Sequence, residues 1–164
     1  MNIRPERGED AAAIREVLTA AFSGTSEADL VERLRRDCDV VLSLVADDGG
    51  VCGYAGLPRL RVEDTQGTRD VAGLAPVAVM PERQRRGIGS ALIREGHRLL
   101  AARGIPLVFV VGDPAYYSGF GYSVAAAVGF ESAYSGPHFM ARRLNESAPR
   151  QGKVRYPAAF NQLR

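Results

Sequence analysis

Residues 83–92 read R-Q-R-R-G-I-G-S-A-L, three arginines and two glycines between an apolar run, Leu74–Met80, and a helical pattern that continues to about Arg103. A strand, a glycine-containing turn and a helix start together suit a phosphate. The first N–H groups of a helix have no intrahelical partner, and the positive end of its dipole points the same way. Gly87 and Gly89 let backbone come close to a ligand. Arg83, Arg85 and Arg86 add planar positive charge. Two standard phosphate motifs fail here. A P-loop needs a lysine after its second glycine, and none follows. The dinucleotide fingerprint G-x-G-x-x-G meets Leu92 at its third glycine. The plain alternative is a solvated basic turn that only caps a helix.

A second group of reactive side chains follows about 25 residues later, A-Y-Y-S-G-F-G-Y over Ala115–Tyr122. Asp113 and Pro114 read as the N-cap and first residue of a short helix. A tyrosine phenol, with a reference pKa of about 10, is a proton donor at neutral pH. Tyr116, Tyr117 and Tyr122 each carry one, and at helical spacing Tyr117 also suits an aromatic core position beside Tyr116 and Phe120. No acid lies within Leu74–Met80. Glu63, Asp64, Asp70 and Asp113 are the nearest acids in sequence, and spacing does not choose among them. Asp113 is accounted for as a cap, and Glu82 as a solvated turn residue. His138 lies near the C-terminal strands, where it either faces a pocket or is structural.

These residues need elements to hold them. Asn2–Arg4 is a short strand. Ile14, Val17, Leu18, Ala21 and Phe22 form a helical stripe. Ser26 and Asp29 resemble a capping box ahead of a second helix with Leu30, Val31 and Leu34 inward. Val40–Ala46 is a strand, D-D-G-G a turn, and Val51–Val62 the hairpin partner, with Pro58 marking an edge or a break. Val71–Met80 is nearly continuous and apolar, so it is central. Gly87–Arg103 is a helix buried along Ile88, Leu92, Leu99 and Leu100, closed by Gly104 and Pro106. Leu107–Val111 is a second apolar strand. Residues 122–144 hold two more strands. N-E-S-A-P-R-Q-G is a surface loop, and K-V-R-Y-P-A-A-F docks back. Length predicts one domain over residues 1–164, with 145–164 as loop and docking tail.

Charge is near balance, 21 basic against 19 acidic residues, so bulk electrostatics predict neither a nucleic-acid nor a membrane partner. R-L-R-R (Arg33–Arg36) reads as a solvated helix face. Cys38 and Cys52 lack metal-ligand spacing, and His97 and His138 are the only histidines, so no metal is expected. No apolar run approaches the ~20 residues of a membrane span. The first ten residues have no apolar core, so no signal peptide is expected. The expectation is a cytoplasmic protein with free thiols.

Q-R-R-G-I-G (Gln84–Gly89) is similar to the pyrophosphate motif Q/R-x-x-G-x-G/A of the GNAT superfamily of N-acetyltransferases. P-V-A-V (Pro76–Val79) resembles that family's central strand, and Ala115–Tyr122 its aromatic-Tyr-x-x-x-Gly-aromatic helix. The two blocks in order are close to the YhbS-like branch, and the resemblance covers roughly residues 1–145. It implies an α/β (α+β) domain with a mixed, mainly antiparallel sheet. Two helices cover one side and the 87–103 helix the other. The strands at 71–80 and 107–112 are parallel and splay apart to admit a cofactor arm.

The resemblance also implies acetyl-CoA as co-substrate, with no metal. Gln84, Arg85, Arg86, Gly87, Ile88, Gly89 and Ser90 would hold the pyrophosphate, chiefly through backbone N–H groups. Val77, Ala78 and Val79 would pair with the pantetheine arm and point an N–H, near Val79, at the thioester carbonyl. Tyr117 would be the acid, and the acceptor a small-molecule or peptide amine that attacks the thioester directly. The protein would act as a monomer or homodimer. Many relatives carry a strand glutamate as base, and this chain has none there. Val110 stands where some relatives have an asparagine. A water relay or an acceptor of low pKa would serve instead. Deprotonating a lysine-like amine at pH 7 costs about 4.6 kcal/mol, an α-amine about 1. The missing glutamate motivates the alternative of a non-catalytic acyl-CoA-binding sensor or regulatory module.

Overall fold

The computed structural model describes residues 1–163. Its sheet runs β1 (Asn2–Pro5), β2 (Val40–Asp47), β3 (Val51–Asp64), β4 (Gly67–Gly73), β6 (Leu107–Val111) and β8 (Phe139–Arg143) in that spatial order. β5 (Val77–Val79) pairs with β3, while β9 (Gly152–Arg155) pairs with β3 and with β7 (Phe130–Glu131). All pairs are antiparallel except β4 with β6 and β7 with β9. The sheet is therefore mixed and mainly antiparallel, as expected.

Helices cover both faces. α1 (Ala11–Phe22) and α2 (Ser26–Arg36) set Ile14, Val17, Leu18, Ala28 and Val31 against Val45, Tyr54 and Ala78. α3 (Ile88–Ala102) sets Ile88, Leu92, Ile93 and Leu100 against Leu42, Leu44, Ala55 and Leu57. Its buried stripe is broader than expected and shifted at one position. Ile93, Gly96 and His97 are buried, while Leu99 is only partly so. The cap of α2 is a second difference. Thr25 takes the N-cap position without a side-chain bond. Ser26 is already helical, and the Asp29 carboxylate is taken by Arg15 at 3.1 Å.

β3 is central, not an edge, and Pro58 marks where it changes partners. Residues 51–58 run beside β2 and, over 53–55, β5; residues 59–64 run beside β4 and, over 61–63, β9. The expected continuous strand 71–80 is interrupted. Pro76 has no N–H for the Gly56 carbonyl, so Ala75 N–H supplies it at 2.9 Å, while Gly56 N–H donates to the Pro76 carbonyl at 3.0 Å. Two residues thus oppose one, which is a β-bulge, and the pairing sum shifts by one between Arg59↔Ala72 and Ala55↔Val77. Gly56 is needed there because a Cβ would lie 2.9 Å from the Ala75 carbonyl oxygen.

The bulge creates a fork. β4 pairs in parallel with β6 at Ala72↔Val108 and Gly73↔Phe109. A last bond joins Leu74 N–H to the Phe109 carbonyl at 2.9 Å. Beyond it β5 stays on β3 and β6 goes with β8, leaving a gap between them.

The C-terminal third is less regular than expected. Of the two strands expected in 122–144, β8 forms fully. β7 has two residues, and Ser123 makes only a bridge to Ala141. The expected surface loop after Leu144 buries Ala148 and Pro149, whose carbonyls accept from Arg143 at 2.9 and 3.3 Å. The tail returns: β9 joins β3, and Ala159 and Phe160 pack on Leu30 and Leu34. Arg164 lies outside the described residues.

Candidate active site

The phase of β5 decides what faces the gap. Met80 N–H donates to the Cys52 carbonyl at 2.9 Å, and the Pro76 carbonyl accepts from Gly56. In an antiparallel ladder bonded pairs alternate, so Ala78, opposite Tyr54, also bonds to β3. The N–H and C=O groups of Val77 and Val79 then point away from β3, into the gap. The Val79 carbonyl accepts from Gln84 Nε2 at 3.1 Å. Gln84 therefore ties the following turn to the end of β5, a task its place in the motif did not reveal.

That turn leads into α3 with left-handed backbone at Arg85 (φ +67°) and Gly87 (φ +81°). Glycine takes this conformation freely, whereas arginine carries roughly 1–2 kcal/mol of strain there. The first bond of α3 runs from Ala91 N–H to the Gly87 carbonyl at 3.0 Å. The N–H groups of Ile88, Gly89 and Ser90 precede it and have no place in the helix ladder. Arg85 and Arg86 are exposed, while Arg83 is held by Asp48 in the β2–β3 turn at 2.9 Å. Of the three arginines only two are thus free to meet an anion.

A cleft of about 410 Å³ is lined by Val77, Ala78, Val79, Gln84, Arg85, Gly87, Ile88, Gly89, Ser90 and Tyr117, together with Arg83 and Tyr116. Every expected site residue lines it except Arg86. Tyr117 belongs to α4 (Pro114–Tyr117), which Asp113 caps by accepting from Ala115 N–H at 3.0 Å. Asp113 is accordingly spent on its helix. The Tyr117 ring packs so closely on Gly112 that a Cβ there would come within 2.5 Å of it. Burial, then Tyr116, pushes the Tyr117 phenol above its ordinary value, so it keeps its proton at neutral pH. Both of its roles coexist: it packs against Tyr122, with ring centroids 6.0 Å apart, and it lines the cleft. The Tyr116 hydroxyl lies over Gly89, where a Cβ would meet it at 3.3 Å.

Among the described residues no carboxylate lines this cleft. Glu63 lies eight residues beyond Ala55 on β3, about 26 Å along the strand, and is bound by Arg155 at 3.1 Å. Asp70 is engaged by Arg61 and Asp64 caps the β3–β4 turn through Gln66 N–H. Among the described residues no three His, Cys, Asp or Glu side chains come together. His138 is exposed beside the gap. Its Nδ1 faces the Gly112 carbonyl at 3.1 Å, so Nδ1 carries a proton.

One polar group escaped the sequence reading. His97 is 4% exposed and joins α3 to β8. Arg142 donates to its Nδ1 at 2.7 Å, so Nε2 carries the proton and donates to the Tyr122 hydroxyl at 2.6 Å. Burial first, then the charges of Arg142 and Arg94, pull its pKa down to about 4. The only signal in the sequence was a histidine on the apolar face of a helix.

Comparison with known proteins fits this geometry. Residues 2–125 match the family described as acetyltransferase (GNAT) domain. The chain is 36% identical, over 171 residues covering 99% of it and all of the relative, to the Escherichia coli protein described as uncharacterized N-acetyltransferase YhbS. The crystal structure of YhbS from Escherichia coli in complex with CoA superimposes with a TM-score of 0.86 at 35% identity, covering 98% of this chain and 91% of that one. A GNAT family acetyltransferase from Brucella melitensis, in complex with acetyl-CoA, gives 0.81 at 37% identity, covering 97% of each.

Proposed function

The chain belongs to the GNAT acetyltransferase family, and from that premise we propose that it moves the acetyl group of acetyl-CoA onto an amine by direct attack on the thioester. The observation that supports this most is the phase of β5, which leaves the N–H groups of Val77 and Val79 and the Val77 carbonyl facing the gap, the Val79 carbonyl being taken by Gln84. An extended pantetheine arm fits there as an added strand. The N–H of Val77 or Val79 would meet the thioester carbonyl oxygen and stabilise the charge that grows on it during attack. The unladdered N–H groups at Ile88–Ser90, with Arg85 and Arg86, suit the pyrophosphate.

The amine nitrogen bonds to the carbonyl carbon, the carbon–sulfur bond breaks, and the thiolate takes a proton from Tyr117. Burial keeps the phenol protonated until the basic thiolate forms, at the cost of making it a weaker acid, and water returns a proton to the phenolate afterwards. The nitrogen loses its proton to water, because no carboxylate among the described residues lines the cleft. An acceptor with a low amine pKa needs the least help.

Calorimetric titration of acetyl-CoA and CoA, followed by thiol release over a panel of amines, tests this. Micromolar binding with release on at least one amine is expected. Binding without release on any amine would instead favour an acyl-CoA-binding sensor, and absence of binding would remove the cofactor assignment.

A further inference from the structure

Just past the fork, on the face opposite α3, lies a half-open apolar pocket of about 170 Å³. The alternation of β6 explains its position. Val108 and Val110 pack in the cluster that contains α3, while Leu107 and Phe109 pack in the other one. Val111 follows the parity of Phe109. Leu74 and Ala75 of the bulge make one wall, Phe109 and Val111 a second, and Tyr156 and Phe160 of the tail a third. The two tail rings meet edge-on, with centroids 5.2 Å apart. The Tyr156 hydroxyl is already bonded to Ser132. Among the described residues no Asp, Glu, Lys, Arg or His lines the cavity. Ala75 lines this cavity and Val77 lines the cofactor cleft, two residues and about 7 Å apart. The two spaces therefore meet at the gap from opposite faces of the sheet.

We propose that this cavity holds the side group of the acceptor, and that the acceptor is a primary amine carrying one aromatic ring or branched aliphatic group close to its nitrogen. The inference rests on the acetyl-transfer reading. Size sets the group: a dry apolar cavity of about 150 Å³ takes up benzene, so this one has room for a single ring. Its walls are carbon apart from the Tyr134 and Tyr156 hydroxyls and carry no charge, so they disfavour a polyamine or a lysine-like chain, whose second charge would lose water without gaining a counter-charge. Direction favours the acceptor over a longer acyl chain. The cofactor cleft opens on the α3 face, and this cavity offers the attacking nitrogen the other face of the sheet.

The test compares kcat/KM with acetyl-CoA for 2-phenylethylamine, isoamylamine, ethylamine and 1,4-diaminobutane. The first two should exceed the last two by about tenfold or more, the usual reach of one apolar group in a fitted pocket. Val111→Trp narrows the cavity from a half-exposed position, so the fold should tolerate it. The variant should bring the ratio toward one, with CoA affinity by calorimetry as the check on folding. Binding of 2-phenylethylamine to CoA-saturated protein gives a readout independent of turnover, and Val111→Trp should weaken it. A ratio near one in the unaltered protein, a ratio Val111→Trp leaves intact, or no amine binding would overturn the proposal. So would a tenfold preference for hexanoyl-CoA over acetyl-CoA that Val111→Trp removes, since the acyl chain would then fill the cavity. Loss of CoA binding in the unaltered protein is a different failure: it sinks the acetyltransferase reading itself.

Discussion

The two spaces that meet at the fork are built in opposite ways. The cleft on the α3 face is backbone chemistry from one short stretch, Val77–Ser90, with Tyr116 and Tyr117 added. The cavity on the other face is side-chain chemistry gathered from the bulge, the end of β6 and the returning tail. A site that recognises a constant ligand can rest on backbone groups, because their positions follow from strand phase and helix start. A site that recognises a variable ligand needs side chains, which can change without disturbing the ladder. The cleft should therefore be sensitive to substitutions that move backbone, and the cavity to substitutions that change volume.

The sharpest division between positioning and chemistry is expected at Tyr117. Tyr117→Phe should lower kcat by about 10²–10⁴, the range for losing a general acid, while CoA affinity holds. A Kd that rises in step with the fall in kcat would mean the hydroxyl binds rather than donates. Gly89→Val comes next. Its side chain would push on the Tyr116 hydroxyl and cover the helix start. Losing one or two charge-assisted hydrogen bonds of about 1.5–3 kcal/mol each weakens CoA about a hundredfold. Calorimetry returning the original Kd would dissolve the backbone half of the comparison.

Below both spaces, His97 links α3 to β8, and its pKa of about 4 makes a pH prediction. The unfolded histidine titrates near 6.5, so between pH 6.5 and 4 the unfolded chain binds more protons and stability falls as pH falls. The loss totals about 3 kcal/mol below pH 4. Asp10 adds a separate step. The Arg4 guanidinium lowers its pKa from 3.8 to about 2, so that stability is present above 3.8 and lost through about 2. Urea denaturation from pH 7 to 4 should show the first slope, and His97→Gln should flatten it. A slope that survives the substitution would assign it elsewhere. The smallest effect is expected at the exposed cations. Arg85→Ala with Arg86→Ala should weaken CoA about three- to tenfold, mostly at low salt, because solvent screens such charges. A salt-independent loss would point to a backbone change instead.

Legibility followed the same divide. The turn and its glycines were readable from local spacing; the run 71–80 was read as one strand that the structure interrupts, and Tyr117 was reached through the family resemblance. The bulge was not, although its cause is local: Pro76 cannot donate to Gly56, and only the pairing with β3 makes that matter. Nor could spacing show that Arg83 is spent on Asp48 or that Gln84 braces Val79. Glu63, Asp64 and Asp70 were left open as bases until the structure showed Glu63 and Asp70 bound by arginines and Asp64 capping the β3–β4 turn. The cavity was beyond reach because Ala75, Val111 and Phe160 meet only through tertiary packing.

The most direct measurement follows backbone amides by NMR during addition of CoA to labelled protein. The amides of Val77, Val79, Ile88, Gly89 and Ser90 should shift most, with Ala78 moving less because its N–H is tied to β3. Equal shifts at Ala78, or the largest shifts in the β3–β4 hairpin, would contradict a cofactor held by the open backbone of the gap.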